Sequence, residues 1–239
     1  MRMCLSGKTM TSAECERPIL IDAAGTAHPL VPADAAYPRE ALCDLVFRHP
    51  ECLPDGELLV PICTSLPTAA GPIGALYLTA AGDIVLAEAG RWENAQDFAA
   101  AAAAALDRAE CLFELDYAGL ETAALNAMAE AVRPLCLYAL FADEAEDTAF
   151  IAAVDRNLRE KRATVAMAGS GLDADAEGLA DLTARRANLT LALVALRLYR
   201  MPHGLLLLPH LAARAETVAK IFVRVEGGNG RLIRHSDGS

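Results

Sequence analysis

Arg156, Arg159, Lys161 and Arg162 form the densest basic cluster of the chain. Clustered Lys and Arg side chains are what affinity for phosphates needs, so a nucleic-acid strand is one ligand they could face. Asp155 and Glu160 interleave them, and the same stretch also reads as a solvated helix face. His49 and Cys52 have the spacing of half a metal site, but no second pair of ligands lies near. Gly169-Ser-Gly171 follows an apolar run and precedes a helical pattern, where a phosphate can meet a helix N-terminus. Position 174 is Ala, however, and Asp173, Asp175 and Glu177 would repel a phosphate, so a plain turn explains it better. Cys63 has no His in a thiol-enzyme arrangement and reads as a small buried hydrophobe. Two further carboxylates stand at element ends. Glu40 reads as a first-turn helix acid. Glu88 ends a strand, and is either a low-affinity metal ligand or a solvated carboxylate.

The elements that would carry these groups follow from periodicity and turn residues. Pro18–Ile21 reads as a short strand. A helix starts after Tyr37-Pro38, with Leu42, Leu45, Val46 and His49 on one face, and Pro50 and Pro54 beyond its end. Leu58–Leu66, Ile73–Thr79 and Ile84–Ala89 read as three strands, with turns at Gly71-Pro72 and Ala81-Gly82-Asp83. Asn94–Leu115 is an alanine-rich helix, with Asn94 as its cap and Trp92 packed at its entry. In the second half, Glu121–Ala131 and Thr148–Arg162 read as helices, the latter with a capping-box-like start. Leu135–Leu140 and Ala163–Ala168 read as strands. Ala174–Arg186 reads as a helix, and Leu189–Tyr199, Leu205–Leu208 and Ile221–Val225 as strands.

The balance of the chain limits its partners. It has 239 residues, a net charge of −11 and 54% hydrophobic residues, which excludes a disordered polymer. Residues 1–120 carry 7 basic and 17 acidic side chains, and residues 121–239 carry 14 and 15. The acidity argues against a general nucleic-acid coat protein and leaves room for a local basic site in the second half. Seven cysteines, an odd number without any C-x-x-C, fit reduced thiols in a cytosol. The start lacks an uninterrupted apolar stretch of the signal-peptide kind, and the longest apolar run is too short to span a bilayer. These features lead us to expect a cytoplasmic protein without a membrane association.

Several stretches taken in order carry more information than any one motif. Glu40-Ala-Leu-Cys-Asp-Leu, His49-Pro-Glu-Cys-Leu-Pro54, Gly71-Pro-Ile-Gly-Ala-Leu-Tyr-Leu, Gly82-Asp-Ile-Val-Leu-Ala-Glu88 and Trp92-Glu-Asn94 come first. Phe150–Arg162, Gly169-Ser-Gly-Leu and Leu191–Tyr199 follow. Together they resemble the PD-(D/E)XK nuclease superfamily, and within it a bacterial group of uncharacterised nuclease-like proteins. The resemblance spans most of residues 37–226. It implies an Asp at the start of the second strand and an acid in the third, which hold one or two divalent ions. It also implies a Lys two residues beyond that acid, on the same strand face, and a Glu on the first helix.

The implied pattern is eroded here. Glu40 matches the helix Glu and Glu88 the strand acid, as vestigial catalytic positions. Glu88 is the one metal ligand the resemblance leaves. The Asp position is Gly74, and the Lys position is Gly90. Ser65 stands where an acid is common, and Ala104 where a helix Gln is. Arg91 is the nearest cation to Gly90 but alternates to the other face, and it cannot act as a base. Asp83 is a conceivable migrated Asp, at the far end of the strands.

The expected fold is α/β: a mixed central sheet flanked by helices, a restriction-endonuclease-like core, with a second α/β portion. The expected organisation is an extension over 1–36, a nuclease-like core over 37–120, an α/β portion over 121–226 and a disordered tail over 227–239. The expected function is that of a catalytically degenerate nuclease-like protein with a binding or scaffolding role, toward nucleic acid or a protein partner and without a cofactor. The alternatives are an active magnesium-dependent nuclease with relocated ligands, and a protein-binding module with no nucleic-acid role.

Overall fold

Runs of alternating or continuous apolar residues become strands, and the alanine-rich segment becomes the longest helix among the described residues. The computed structural model describes residues 18–21, 23–33, 37–92, 94–142, 144–170, 188–201 and 204–216. The predicted helix over 174–186, strand over 221–225 and tail over 227–239 lie outside the described residues, as do Asp173, Asp175 and Glu177. The described residues fall into two compact units, 18–37 with 197–208, and 38–196 with 209–216.

In the first unit, β1 (Ile19–Ile21) pairs antiparallel with β2 (Ala27–Pro29). Gly25 supplies the positive φ, +81°, between them. The two-residue β3 (Val31–Pro32) pairs antiparallel with Tyr199–Arg200. Pro29 and Pro32 each lack a ladder donor, which keeps these pairings short.

The second unit opens with α1 (Arg39–Arg48), entered through Pro38, with Glu40 in its first turn. Its buried residues are Leu42 and Val46; His49, expected on the same face, is exposed at the helix end. Next come β4 (Val60–Leu66), β5 (Ile73–Leu78) and β6 (Ile84–Arg91), an antiparallel meander. Three helices follow: α2 (Ala95–Leu112), α3 (Tyr117–Ala127) and α4 (Asp147–Arg159). Then β7 (Ala163–Ser170) pairs parallel with β6, and Leu189–Ala195 of β8 (Leu189–Met201) pairs parallel with β7. β9 (Gly204–Glu216) pairs with β8. The fold is thus α/β, and among the described residues seven strands are hydrogen-bonded into one mixed sheet, in the order β3-β8-β7-β6-β5-β4 with β9 also on β8. Strands from both halves of the sequence meet within it, at the β6–β7 joint.

Alternation sorts the sheet into two faces. Leu76, Leu78, Ile84, Leu86, Val165, Met167, Leu191 and Leu193 pack into one cluster with the buried residues of α2, α3 and α4. Each fully buried leucine there contributes roughly 2 kcal/mol of transfer free energy. On α2 the buried residues are Phe98, Leu106 and Leu112 together with Ala102, Ala105 and Ala109, the alanines each at most 3% exposed. The other face carries Tyr77, whose hydroxyl donates to the Val46 carbonyl at 3.0 Å, and whose ring meets Phe47 at 6.0 Å. α1 lies on that face.

Four sequence expectations need correction. The segment over 135–140 is a 3-10 turn, Leu137–Leu140, and not a strand. Its apolar anchors, Leu137 and Phe141, bury four residues apart while Leu135 is fully exposed. That is a helical period, and the Leu137 amide is held by Glu121 Oε1 at 2.8 Å. α4 has no capping box: Thr148 already lies inside the helix, and its hydroxyl donates to Glu146 Oε1. Gly169 and Ser170 are not a turn but the last residues of β7. α3 also starts four residues ahead of its expected place, because Asp116 caps it by accepting from the Gly119 amide at 2.8 Å. Among the described residues no helix is long and apolar enough to cross a membrane.

Candidate functional site

Glu88 sits near the end of β6, where the β5–β6 ladder stops at the Ala75–Ala87 pair. Alternation turns its side chain to the face of Leu86 and α2, and its carboxylate continues the pairing in place of the backbone. Oε1 accepts from the Gly74 amide at 3.0 Å. The same oxygen accepts from Arg108 Nη1 at 2.6 Å. Glu88 is 12% exposed and Arg108 23%, so the pair is largely shielded from water. The Arg108 Nε is buried and makes no hydrogen bond.

Of the positions beside Glu88, 74 is closed to a side chain and 90 is tight. A Cβ at Gly74 would come 2.6 Å from the Ala87 carbonyl oxygen and 3.2 Å from Glu88 Oε2. A Cβ at Gly90 would come 3.2 Å from Cζ2 of Trp92. Gly169 lies opposite Gly90 across the β6–β7 joint, and a Cβ there would overlap the Gly90 carbonyl oxygen and approach the indole at 2.7 Å. Trp92 is 8% exposed and stacks edge-on to Phe98 at 5.3 Å, which accounts for its packing role. Asn94 Oδ1 accepts from the Asp97 amide at 2.9 Å and caps α2, as expected.

Glu40 is exposed on α1, against the opposite face from the Glu88 side chain. Among the described residues the two acids share no group of three metal-ligating side chains. On α1, Cys43 reaches this end of β6, where its thiol donates to the Ala89 carbonyl at 3.4 Å. Burial raises its pKa; Arg39 opposes that rise and Glu88 adds to it. Asp83 is at the other end of β6, with Oδ2 accepting from the Thr79 hydroxyl at 3.0 Å. Ser65 is exposed on β4 with a positive φ of 56°.

The remaining candidates separate as well. Cys52 donates to the His49 carbonyl, so that pair is joined through the backbone and not through the imidazole. Burial pushes the Cys52 thiol up to about 11 and the Cys63 thiol up to about 12, which keeps both protonated near neutrality. Among the described residues no group of three His, Cys, Asp or Glu side chains could hold a metal ion. In the basic cluster, Arg159 pairs with Asp155 at 2.7 Å, Lys161 with Glu110 at 3.2 Å and Arg162 with Glu160 at 3.3 Å. All four cations are exposed.

Arg108 is the site residue that sequence reasoning missed. The available signal was an arginine three residues after Ala105 on the buried stripe of the alanine helix, where a cation needs an acidic partner. Comparison with known proteins finds no matching family model, no matching curated protein and no matching solved structure.

Proposed function

We propose that this chain is a catalytically degenerate PD-(D/E)XK nuclease-like protein whose retained role is binding or scaffolding. The observation that carries this reading is the guanidinium of Arg108 on the Glu88 carboxylate. A nuclease site of this kind offers its strand acid to a divalent ion. Here a fixed monovalent cation of the protein itself neutralises that acid, together with a backbone amide. Magnesium takes an octahedral shell of oxygens. The surroundings of Glu88 provide nitrogen donors in place of further oxygen ligands, and position 74 carries no side chain. These residues do not fit a magnesium ion.

The order of elements supports the family side of the reading. A helix, three antiparallel strands, a helical segment and a strand parallel to the third follow one another from α1 to β7. The electrostatics support the loss of chemistry, since residues 1–120 hold ten more acidic than basic side chains. Nucleic acid or a protein is the partner class for the retained role, and Arg156, Arg159, Lys161 and Arg162 are the candidate contacts with nucleic acid.

The test is cleavage of duplex DNA, single-stranded DNA and RNA with magnesium or manganese. No cleavage is expected. Activity that disappeared in Glu88→Ala would overturn the reading. A gel shift across salt concentrations separates the partner classes, because nucleic-acid binding weakens steeply with salt.

A further inference from the structure

A cleft of about 460 Å³ opens at the end of β6 away from Glu88, between the β5–β6 hairpin, the C-terminal end of α4 and the start of β7. Its wall includes Ile84, four residues before Glu88 and therefore about 13 Å from it along the strand. The volume lies in the range of small-molecule sites. Three arginines line the cleft, Arg156, Arg162 and Arg214, with two acids, Asp55 and Asp83.

Arg162 pairs through one Nη with the exposed Glu160 at 3.3 Å, and its guanidinium keeps further donors. Cations gather at helix C-termini because the dipole favours them there, yet the last carbonyls of α4 already have other donors. The backbone amides of Glu160, Lys161 and Arg162 bond to the carbonyls of Arg156, Leu158 and Asn157 at 2.8, 3.1 and 2.8 Å. The Asn188 side chain takes the Glu160 carbonyl at 2.9 Å. Among the described residues no carboxylate forms an ion pair with Arg156, whereas Arg159 on the same helix is paired with Asp155. Arg214 pairs with Asp55 at 3.7 Å. Asp83 accepts from Thr79 and retains capacity for a further donor.

We propose that this cleft binds a small phosphate ester bearing hydroxyl groups, of mononucleotide size. Its phosphate sits on Arg156 and Arg162, where guanidinium forks suit a tetrahedral oxyanion. Its hydroxyl groups donate to Asp55 and Asp83. The site is separate from Glu88 and does not depend on the loss of nuclease chemistry there. It shares Arg156 and Arg162 with the candidate nucleic-acid contacts, so the test must distinguish a free nucleotide from a strand.

The experiment titrates the full chain with adenosine 5′-monophosphate, adenosine, inorganic phosphate and a twelve-nucleotide single strand, by calorimetry and thermal shift. The monophosphate is expected to bind at least tenfold more tightly than adenosine and to raise Tm. Arg156→Ala with Arg162→Ala should weaken it at least tenfold, while Arg48→Ala on α1 leaves it unchanged. Arg156 and Arg162 are exposed, and a melt of each variant without ligand verifies that it folds. The single variants Arg156→Gln and Arg162→Gln provide the same readout should the double variant fail to fold. The proposal is overturned by no binding of the monophosphate at millimolar concentration, by binding that the arginine variants leave intact, or by binding of the strand alone. None of these outcomes bears on the cleavage assay, so the two readings fail separately.

Discussion

Arg108 on α2 and Glu88 on β6 form a shielded ion pair, 2.6 Å between Nη1 and Oε1, that closes the open end of the β5–β6 ladder. Breaking such a pair from one side leaves the other charge stranded in a poorly hydrated place. Arg108→Ala should therefore cost about 2–3 kcal/mol in urea unfolding, against about 0–1 kcal/mol for the exposed Arg159→Ala. The double variant Glu88→Ala, Arg108→Ala should lose less than the sum of the singles, which a double-mutant cycle reads directly.

Restoring the nuclease side chains should not restore a nuclease. Gly74→Asp places a Cβ against the Ala87 carbonyl, and Gly90→Lys drives the chain into Trp92. Both are expected to lower Tm without producing metal-dependent cleavage. Gly169→Ala should be worse still, because the overlap is with the Gly90 backbone. A loss above about 4 kcal/mol, or failure to fold, is the expected outcome in denaturant melts. A stable Gly74→Asp, Gly90→Lys protein that cleaves DNA would contradict this account.

Asn157 ties α4 to the β5–β6 hairpin. It is 6% exposed, and its Nδ2 donates to the Gly82 carbonyl at 2.8 Å. Asn157→Ala removes that donor and should cost about 1–3 kcal/mol. Gly82 has a φ of +84° and its missing Cβ would meet Ala153 at 2.7 Å, so Gly82→Ala should cost at least as much. Thermal unfolding of the two variants tests the order.

Alkaline pH should weaken the fold through its buried thiols. Cys52 and Cys63 hold their protons more tightly when folded, with pKa values pushed up to about 11 and about 12. Their stabilising contribution is complete below the unfolded thiol value, about 8.5. It is lost as pH rises from there toward the folded values. The urea midpoint should fall between pH 8.5 and 11, and less steeply in a Cys52→Ala, Cys63→Ala protein. At pH 8 native Cys63 should react with an alkylating reagent more slowly than the half-buried Cys111.

Much of the core was legible in the order of local signals. The helix after Pro38, the strands over 58–66, 73–79 and 84–89, and the alanine helix all appear within two or three residues of their expected bounds. Proline, glycine and Asn94 mark those bounds chemically. The 135–140 segment misled because its leucines and tyrosine suit a strand, while the period that decides burial runs from Leu137 to Phe141. Gly169-Ser170 read as a turn because sequence alone does not show Trp92 and Gly90 across the joint. The Glu88–Arg108 pair joins positions 20 residues apart and the cleft gathers side chains from Asp55 to Arg214, so no window of local sequence contains either.

The parallel joint between β6 and β7 also sets a schedule. Val85 pairs with Thr164 and Arg91 with Ser170, so each contact spans 79 residues. The β4–β6 meander closes over short turns and can form early. The joint must wait for three helices to be made, and closing so long a loop carries an entropic cost before any contact rewards it. On the ribosome, β6 emerges with an unsatisfied edge and keeps it until β7 has left the exit tunnel. During that interval the strand Ile84-Val-Leu-Ala-Glu-Ala-Gly-Arg91 is exposed to any chaperone that recognises an open apolar edge.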